Sequence, residues 1–410
     1  MSNSAANETT YLTQPARQTA GQYVSDYLKR VRSGDLGSLP IFLGLIIIAI
    51  IFQSQNENFL TARNFVNLIV QMAGYTTIAI GVVYVLLLGE IDLSVGYVSA
   101  VAAVSMTLLL REPNPWPWYA AIPIALAAAA AIGILHGFII TRFQVPSFVV
   151  TLAGLLAWNG AVVILIGGAG TVIIQDKLVI GIANFWLPPL WGWLAAAAFV
   201  GLYALLQLQG VLSRRRQGLA SKPLLVTVVQ IALLAVIVAG AVFVANKDRG
   251  VPIVGLILIV LLAGFTFLAT RTRFGRYVYA VGGNKEAARR AGINVERIRI
   301  LVFMISSLMA GMGGIILASR LRSVDTAAGG GNLLLNSIAA AVIGGTSLFG
   351  GSGRVVSAVL GALVIASVEN GMGLLGLSSG VKFIITGIVL LVAALVDSIS
   401  RRSRSQSGIA

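Results

Sequence analysis

The sequence predicts an all-α polytopic membrane protein of about 12 transmembrane helices, N-in and C-in. Three observations predict it. Of 410 residues, 57% are hydrophobic and only 10% charged, and the mean hydropathy is +0.91. A soluble domain carries roughly 25% charged residues, because its surface needs polar cover. Apolar stretches of spanning length recur along the chain, and the basic residues are skewed toward alternate connections.

A helix needs about 20 apolar residues to cross about 30 Å of hydrocarbon. On that ruler, spans fall near 38–54, 65–88, 92–110, 118–140, 147–167 and 191–209. They continue near 224–245, 252–270, 300–319, 333–348, 355–375 and 381–398. The short, Gly-rich segment 333–348 is the candidate for a broken or re-entrant helix. With the N-terminus cytoplasmic, 21 of the 29 basic residues fall on the cytoplasmic side, among them Arg214, Arg215, Arg216, Lys222, Arg401, Arg402 and Arg404. That skew obeys the positive-inside rule. The organisation expected is a cytoplasmic tail over 1–37, a transmembrane domain over 38–400 with a hydrophilic cytoplasmic loop at 271–299, and a second tail over 401–410. The first tail is either disordered or forms a short amphipathic helix over Tyr23 to Val31. Trp116, Trp118 and Trp186 suit an interfacial aromatic belt, and Gly168 to Leu190 has room for a surface helix. Small residues such as Ala310, Gly311, Gly313 and Gly314 predict close helix packing.

Composition also excludes chemistry. There is no cysteine and one histidine, His136, so no thiolate or histidine cluster can form. No catalytic or metal constellation is present. No phosphate-cradling G-x-x-x-x-G-K-[ST] motif occurs, and Gly344 to Gly353 is Gly-rich but lacks the Lys. The net charge of +15 on so apolar a chain points to membrane lipid and topology, not to nucleic acid.

Polar residues then mark candidate sites. In the loop 271–299, Asn284 is a helix cap, Glu286 suits the first turn, Arg289 and Arg290 suit the last, and Gly292 suits the stop. This predicts an ordered element that either docks a soluble partner or anchors topology. In the segment Gly89 to Gly96, Glu90 and Asp92 sit where hydrocarbon begins or ends, each costing a few kcal/mol if buried unpaired. They read as gate or pathway residues with Ser94, or, for Asp92, as a cap on the following helix. Glu369 and Asn370 fall inside a span and are functional candidates by default. Gln71, Trp158 and Asn159 either meet a sugar-like solute or glue helices together, and His136 reads first as a hydrogen-bonded packing residue. An internal echo links Ile78 to Val82, followed sixteen residues on by Val98-Ser99-Ala100, with Ile338 to Val342, followed fourteen on by Val356-Ser357-Ala358. Each pair straddles a Gly-rich break, as repeats with interrupted helices do in transporters.

Several of these strings together resemble one family. They are Gly89 to Gly96, Val145 to Gly154, Gly282 to Asn294, Ile343 to Leu348 and Glu369-Asn370-Gly371-Met372. In order, and covering about Asn56 to Arg402, they resemble the permease subunits of bacterial ribose/xylose-type ABC sugar importers. The extra hydrophobic stretch from about Trp193 to Asn246 resembles the longer, xylose type. The resemblance implies an ABC importer permease bundle in the bacterial inner membrane that moves a pentose such as D-xylose. It implies a second permease copy, an ATP-binding cassette ATPase subunit that holds ATP and Mg, and a periplasmic sugar-binding protein. It makes Gly282, Gly283, Asn284, Lys285, Glu286, Ala287, Ala288, Arg289, Arg290, Gly292, Ile293 and Asn294 the element that couples to the ATPase. This chain itself is expected to be no enzyme and to hold no cofactor. The competing expectation is a secondary transporter driven by an ion gradient, with Glu90, Asp92 and Glu369 as coupling groups.

Overall fold

The computed structural model describes residues 39–219 and 221–389, with the single positions 21, 25, 391 and 395. Apart from those single positions, the tails expected at 1–37 and 401–410, and the helix expected over Tyr23 to Val31, lie outside the described residues. The chain divides into two compact units, residues 187–251 in one and 37–186 with 252–399 in the other.

The smaller unit is a hairpin of two long helices, Pro189–Arg216 and Leu224–Asn246. Pro at the first helical position of Pro189–Arg216 gives up an amide that has no intrahelical partner anyway. Arg214, Arg215 and Arg216 close the same helix, where positive charge complements the helix dipole.

The larger unit begins with α1 (Leu39–Gln55), α2 (Ala62–Leu87), α3 (Val95–Leu109), α4 (Trp118–Arg142) and α5 (Ser147–Ile166). A strand β1 (Thr171–Ile173) and a short helix α6 (Lys177–Asn184) follow. The surface helix expected between Gly168 and Leu190 is this α6, capped by Asp176, whose Oδ1 accepts from Leu178 N and Val179 N at 2.9 Å each. After the hairpin come α7 (Ile253–Arg271), α8 (Arg273–Gly283), α9 (Lys285–Arg290) and α10 (Val295–Leu321). Last are β2 (Ser323–Asp325), α11 (Leu333–Ile343), α12 (Val356–Leu374) and α13 (Ser379–Val389). β1 and β2 pair antiparallel, Val172 opposite Val324.

Among the described residues, eight helices are long and apolar enough to cross a membrane. Four shorter apolar helices, α1, α3, α11 and α13, occupy the remaining apolar segments. α2 and α10 form the centre, packed on each other, with α3 and α4 against α10, and with α12, α11 and α7 against α2. Close approach follows from small residues. Ala121, Ala125, Ala129, Gly133 and Gly137 recur at four-residue steps on α4 and are all buried. A Cβ on Gly133 or Gly137 would collide with the α10 backbone at Met304 or Ile300. Gly311, Gly313 and Gly314 of α10 make the reciprocal allowance for Ala129, Ile78 and Ser99.

Two segments are interrupted. The break expected within 333–348 is real: α11 ends at Ile343 and a Gly-rich turn region runs from 344 to 355. The same device precedes α3, where residues 88–94 are non-helical although the apolar pattern places a span from 92. Buried non-helical backbone needs protein partners for its polar groups. Here Gly351 N, in the second break, donates at 2.9 Å to the carbonyl oxygen of Leu87, the last residue of α2 before the first break.

Candidate functional site

Polar chemistry gathers at three levels along α2 and α10. The first is the hydrophilic loop. Thr272 caps α8, its Oγ1 accepting from Gly275 N at 3.1 Å. Asn284 caps α9, its Oδ1 accepting from Ala287 N at 2.9 Å, as its place in the sequence predicts. Gly292 adopts φ +81° and reverses the chain after α9, and Asn294 then caps α10 through Arg297 N at 2.9 Å. Glu286 pairs with Arg289 and Arg290 at 3.2 and 3.4 Å on the exposed side. The element is therefore a set of capped short helices in the register the residues dictate.

Its attachment to the bundle was not legible in the sequence. Glu90, just past α2 and 4% exposed, places Oε1 3.0 Å from Lys285 Nζ and 2.6 Å from Arg299 Nε. The Lys285 contact is a hydrogen bond, whereas the Arg299 N–H is not aimed along its contact, so that pairing is one of charge. Glu90 Oε2 has no hydrogen-bond partner among the described residues. Backbone reinforces the pair. A Cβ on Gly282 would fall on Leu87 O, and Gly89, at φ +72°, lies against Phe349 and Gly350. Tyr279 Oη donates to Gly353 O at 2.9 Å. The ends of α2 and α8 and the turn before α12 thus meet at one glycine junction.

The second level is a hydrogen-bonded chain buried between helices. Trp158 Nε1–H donates to His136 Nε2 at 3.1 Å, which leaves the proton of a neutral imidazole on Nδ1. His136 Nδ1 lies 3.3 Å from Ser94 Oγ, and Ser94 donates from Oγ and N to Asp92 Oδ1 at 2.6 and 3.0 Å. Ser306 Oγ donates to Asp92 Oδ2 at 3.0 Å. Asp92 therefore accepts three bonds, but the only backbone N–H among them is that of Ser94, the N-cap residue of α3, so Asp92 closes a turn ahead of the helix and does not cap it. Gly154 leaves room for the His136 ring.

The third level, at the opposite end of α2 from the loop, is a cavity of about 620 Å³. Asn64, Asn67 and Gln71 of α2 line it, with Asn336 of α11 and Glu369 and Asn370 of α12. Arg320 of α10 and Lys382 of α13 add positive charge. Asn64 and Asn370 exchange amide hydrogen bonds at 2.7 and 3.0 Å, and Asn370 also donates to Gln71 at 3.2 Å. Asn336 donates to Glu369 Oε1 at 2.7 Å, while Asn336 Oδ1 is left without a hydrogen-bond partner.

Of the sequence candidates, Glu369 and Asn370 share the cavity; Glu90, Asp92 and Ser94 do not line it. Glu90 joins the loop, and Asp92 and Ser94 join the His136 chain. Asn64, Asn336, Arg320, Arg299 and Ser306 are not among the candidates that the sequence singles out. Asn336 and Ser306 carried a usable signal, being polar residues inside apolar spans.

Residues 64–394 match the family described as "Branched-chain amino acid transport system / permease component". The chain is 39% identical over 382 residues to the xylose transport system permease protein XylH of Escherichia coli K12, covering 91% of this chain and 94% of that one. It is 37% identical over 384 residues to XylH of Haemophilus influenzae, covering 89% and 98%. It is 32% identical over 358 residues to the ribose import permease protein RbsC of E. coli K12, covering 87% and 92%. No solved structure matches.

Proposed function

We propose, from the premise that the chain belongs to the branched-chain amino acid transport system / permease component family, that it is the pathway-forming subunit of an ATP-driven importer for a pentose such as D-xylose. It is a multi-pass inner-membrane protein of the permease kind. The reading beyond that rests on one observation: the helices that carry the amide-lined cavity at one end carry the ion-paired loop element at the other. Asn64, Gln71 and Arg320 sit at one end of α2 and α10; Glu90, which follows α2, and Arg299 sit at the other.

In this reading the element over Gly282 to Asn294 docks on an ATPase subunit that supplies ATP and Mg. Closure of the ATPase pushes α9, and Lys285 and Arg299 pass the push to Glu90 and thence to α2. The glycine junction carries the same displacement to α12 through the turn before it. The cavity then changes the side it faces, which is alternating access. A carboxamide both donates and accepts hydrogen bonds, as does a sugar hydroxyl. A cavity lined by amides, one carboxylate and the cations Arg320 and Lys382 therefore suits a polyol better than a branched aliphatic side chain, and it accords with the xylose and ribose relatives. The proposed assembly contains a second permease copy and a periplasmic sugar-binding protein. The proposed topology is twelve spans with both tails, 1–37 and 401–410, cytoplasmic around a domain over 38–400.

Proteoliposomes holding the permease, its ATPase and its binding protein test this. Labelled xylose should enter with ATP present and ion gradients dissipated, and should not enter without the ATPase. Uptake that needs only a proton or sodium gradient would remove this reading in favour of an ion-driven secondary transporter.

A further inference from the structure

A second cavity, of about 490 Å³, lies at the same end of the unit as α9. It is built from three segments: Thr266 and Thr270 of α7, Arg276 and Tyr279 of α8, and Arg354 of the turn before α12. Neither Arg276 nor Arg354 has an acidic partner among the described residues. Tyr279 is held in place by its bond to Gly353 O, and Thr266 Oγ1 is buried without a hydrogen-bond partner. Two guanidinium groups, a fixed phenol oxygen and a spare hydroxyl form a donor-rich recess for an oxyanion.

The wall beside it is greasy. Val260, Ala263, Phe267 and Thr270 follow one another at steps of three and four on α7, and all are exposed. They form a stripe that runs down the apolar helix and ends in the recess. An acyl chain lying on that stripe would bring a headgroup phosphate to the arginines. We infer that this recess is a binding site for a phosphate-bearing anion, and that the stripe selects an anionic phospholipid over a free ion. Such a lipid would sit against both α8 and the turn before α12, so its occupancy would stiffen the glycine junction.

Native mass spectrometry of the purified full-length permease, delipidated and then titrated, tests the assignment. The titrants are phosphatidylglycerol, phosphatidylcholine and inorganic phosphate. Wild type should retain one phosphatidylglycerol per chain in preference to phosphatidylcholine. The double variant Arg276→Gln/Arg354→Gln should bind it about tenfold more weakly or worse. Arg271→Gln/Arg273→Gln, which removes equal charge outside the recess, should bind as wild type does. Arg276→Lys/Arg354→Lys should retain binding, which separates lost recognition from lost folding. Equal binding of the two lipids, equal loss in both glutamine variants, or retained phosphatidylglycerol binding in Arg276→Gln/Arg354→Gln would overturn the site. Displacement of the lipid by millimolar phosphate would make it a free-anion site and overturn the lipid claim. Should Arg276→Gln/Arg354→Gln weaken only ATPase binding and leave the lipid in place, the recess is a protein contact and the inference fails.

Discussion

The two ends of α2 and α10 are built from different materials. At the loop end, backbone meets backbone: Gly282, Gly89 and Gly351 bring three chain segments together, and a nearly buried carboxylate holds two cations. At the other end, side chains line an open cavity, and the amides bond to one another in arrangements that a solute could replace. The first end has no slack, because backbone cannot change rotamer. The second end has interchangeable partners, because a carboxamide that releases a neighbour can accept a hydroxyl. Helices of 26 and 27 residues span about 40 Å and connect the two. A stiff end suits force and an adaptable end suits recognition, so substitutions at the two ends should fail in different ways.

The largest effect is expected at the glycine junction. Gly282→Val places a side chain on the Leu87 carbonyl, a collision with backbone that exceeds the ~1–3 kcal/mol of ordinary overpacking. ATP-driven uptake in proteoliposomes should fall to background. Gly283→Ala is the matched control, since nothing lies within 4 Å of its added Cβ, and it should transport normally. Equal behaviour of the two would dissolve the claim that the junction is tight. Glu90→Gln comes next. It strips a buried partner from Lys285 and Arg299, which for a fully buried pair costs roughly 3–5 kcal/mol. Lys285 is 48% exposed, so about 1–3 kcal/mol is the fitting scale. The ratio of ATP hydrolysed to sugar moved should rise about tenfold, while the sugar concentration for half-maximal uptake stays put. A shift in that concentration without a change in the ratio would move Glu90 from transmission to binding.

Smaller and opposite in kind is Asn370→Ala. It removes the amide that meets Asn64 and Gln71, a loss of about 1–2 kcal/mol of hydrogen bonding, or roughly 5- to 30-fold in affinity. The sugar concentration for half-maximal uptake should rise by that factor, with the ATP-to-sugar ratio unchanged. Glu369→Gln should act likewise. Loss of coupling in either variant would erase the distinction between the ends.

Where the sequence succeeded and failed has a physical pattern. The apolar helices were legible because about 20 apolar residues have one solvent in which to fold; eight of the described helices have spanning length and four are shorter. The cap at Asn284 was legible because a cap acts within three residues, whereas Asp92, expected as a cap, accepts from Ser94 N ahead of the helix. Both breaks showed in the sequence, at 333–348 as glycine density and between the spans ending at 88 and starting at 92; only the extension of the second to residue 94 was hidden, because Leu93 and Val95 look continuous on an apolar ruler. The role of Glu90 was hidden because its partners lie 195 and 209 positions away, at Lys285 and Arg299, and no local rule reports such pairings. Asn64 and Asn370, 306 apart, were hidden in the same way.

The smallest structural effect belongs to Glu286, and it sharpens the comparison most cleanly. Its contacts with Arg289 and Arg290 are made by side chains that are more than half exposed, and exposed pairs of this sort contribute about 0–1 kcal/mol. The cap at Asn284 and the turn at Gly292 do not depend on it. Glu286→Gln should therefore leave the melting temperature of the permease unchanged to within about 1 °C, since a few tenths of a kcal/mol moves a large protein little. If α9 is the docking face, the same substitution should still weaken capture of the ATPase subunit by several-fold, because an exposed charge at an interface acts on the partner and not on its own fold. Unchanged ATPase binding with unchanged stability would leave α9 as a mere spacer. The force would then have to enter through Lys285 and Arg299 alone, from whatever surface holds them.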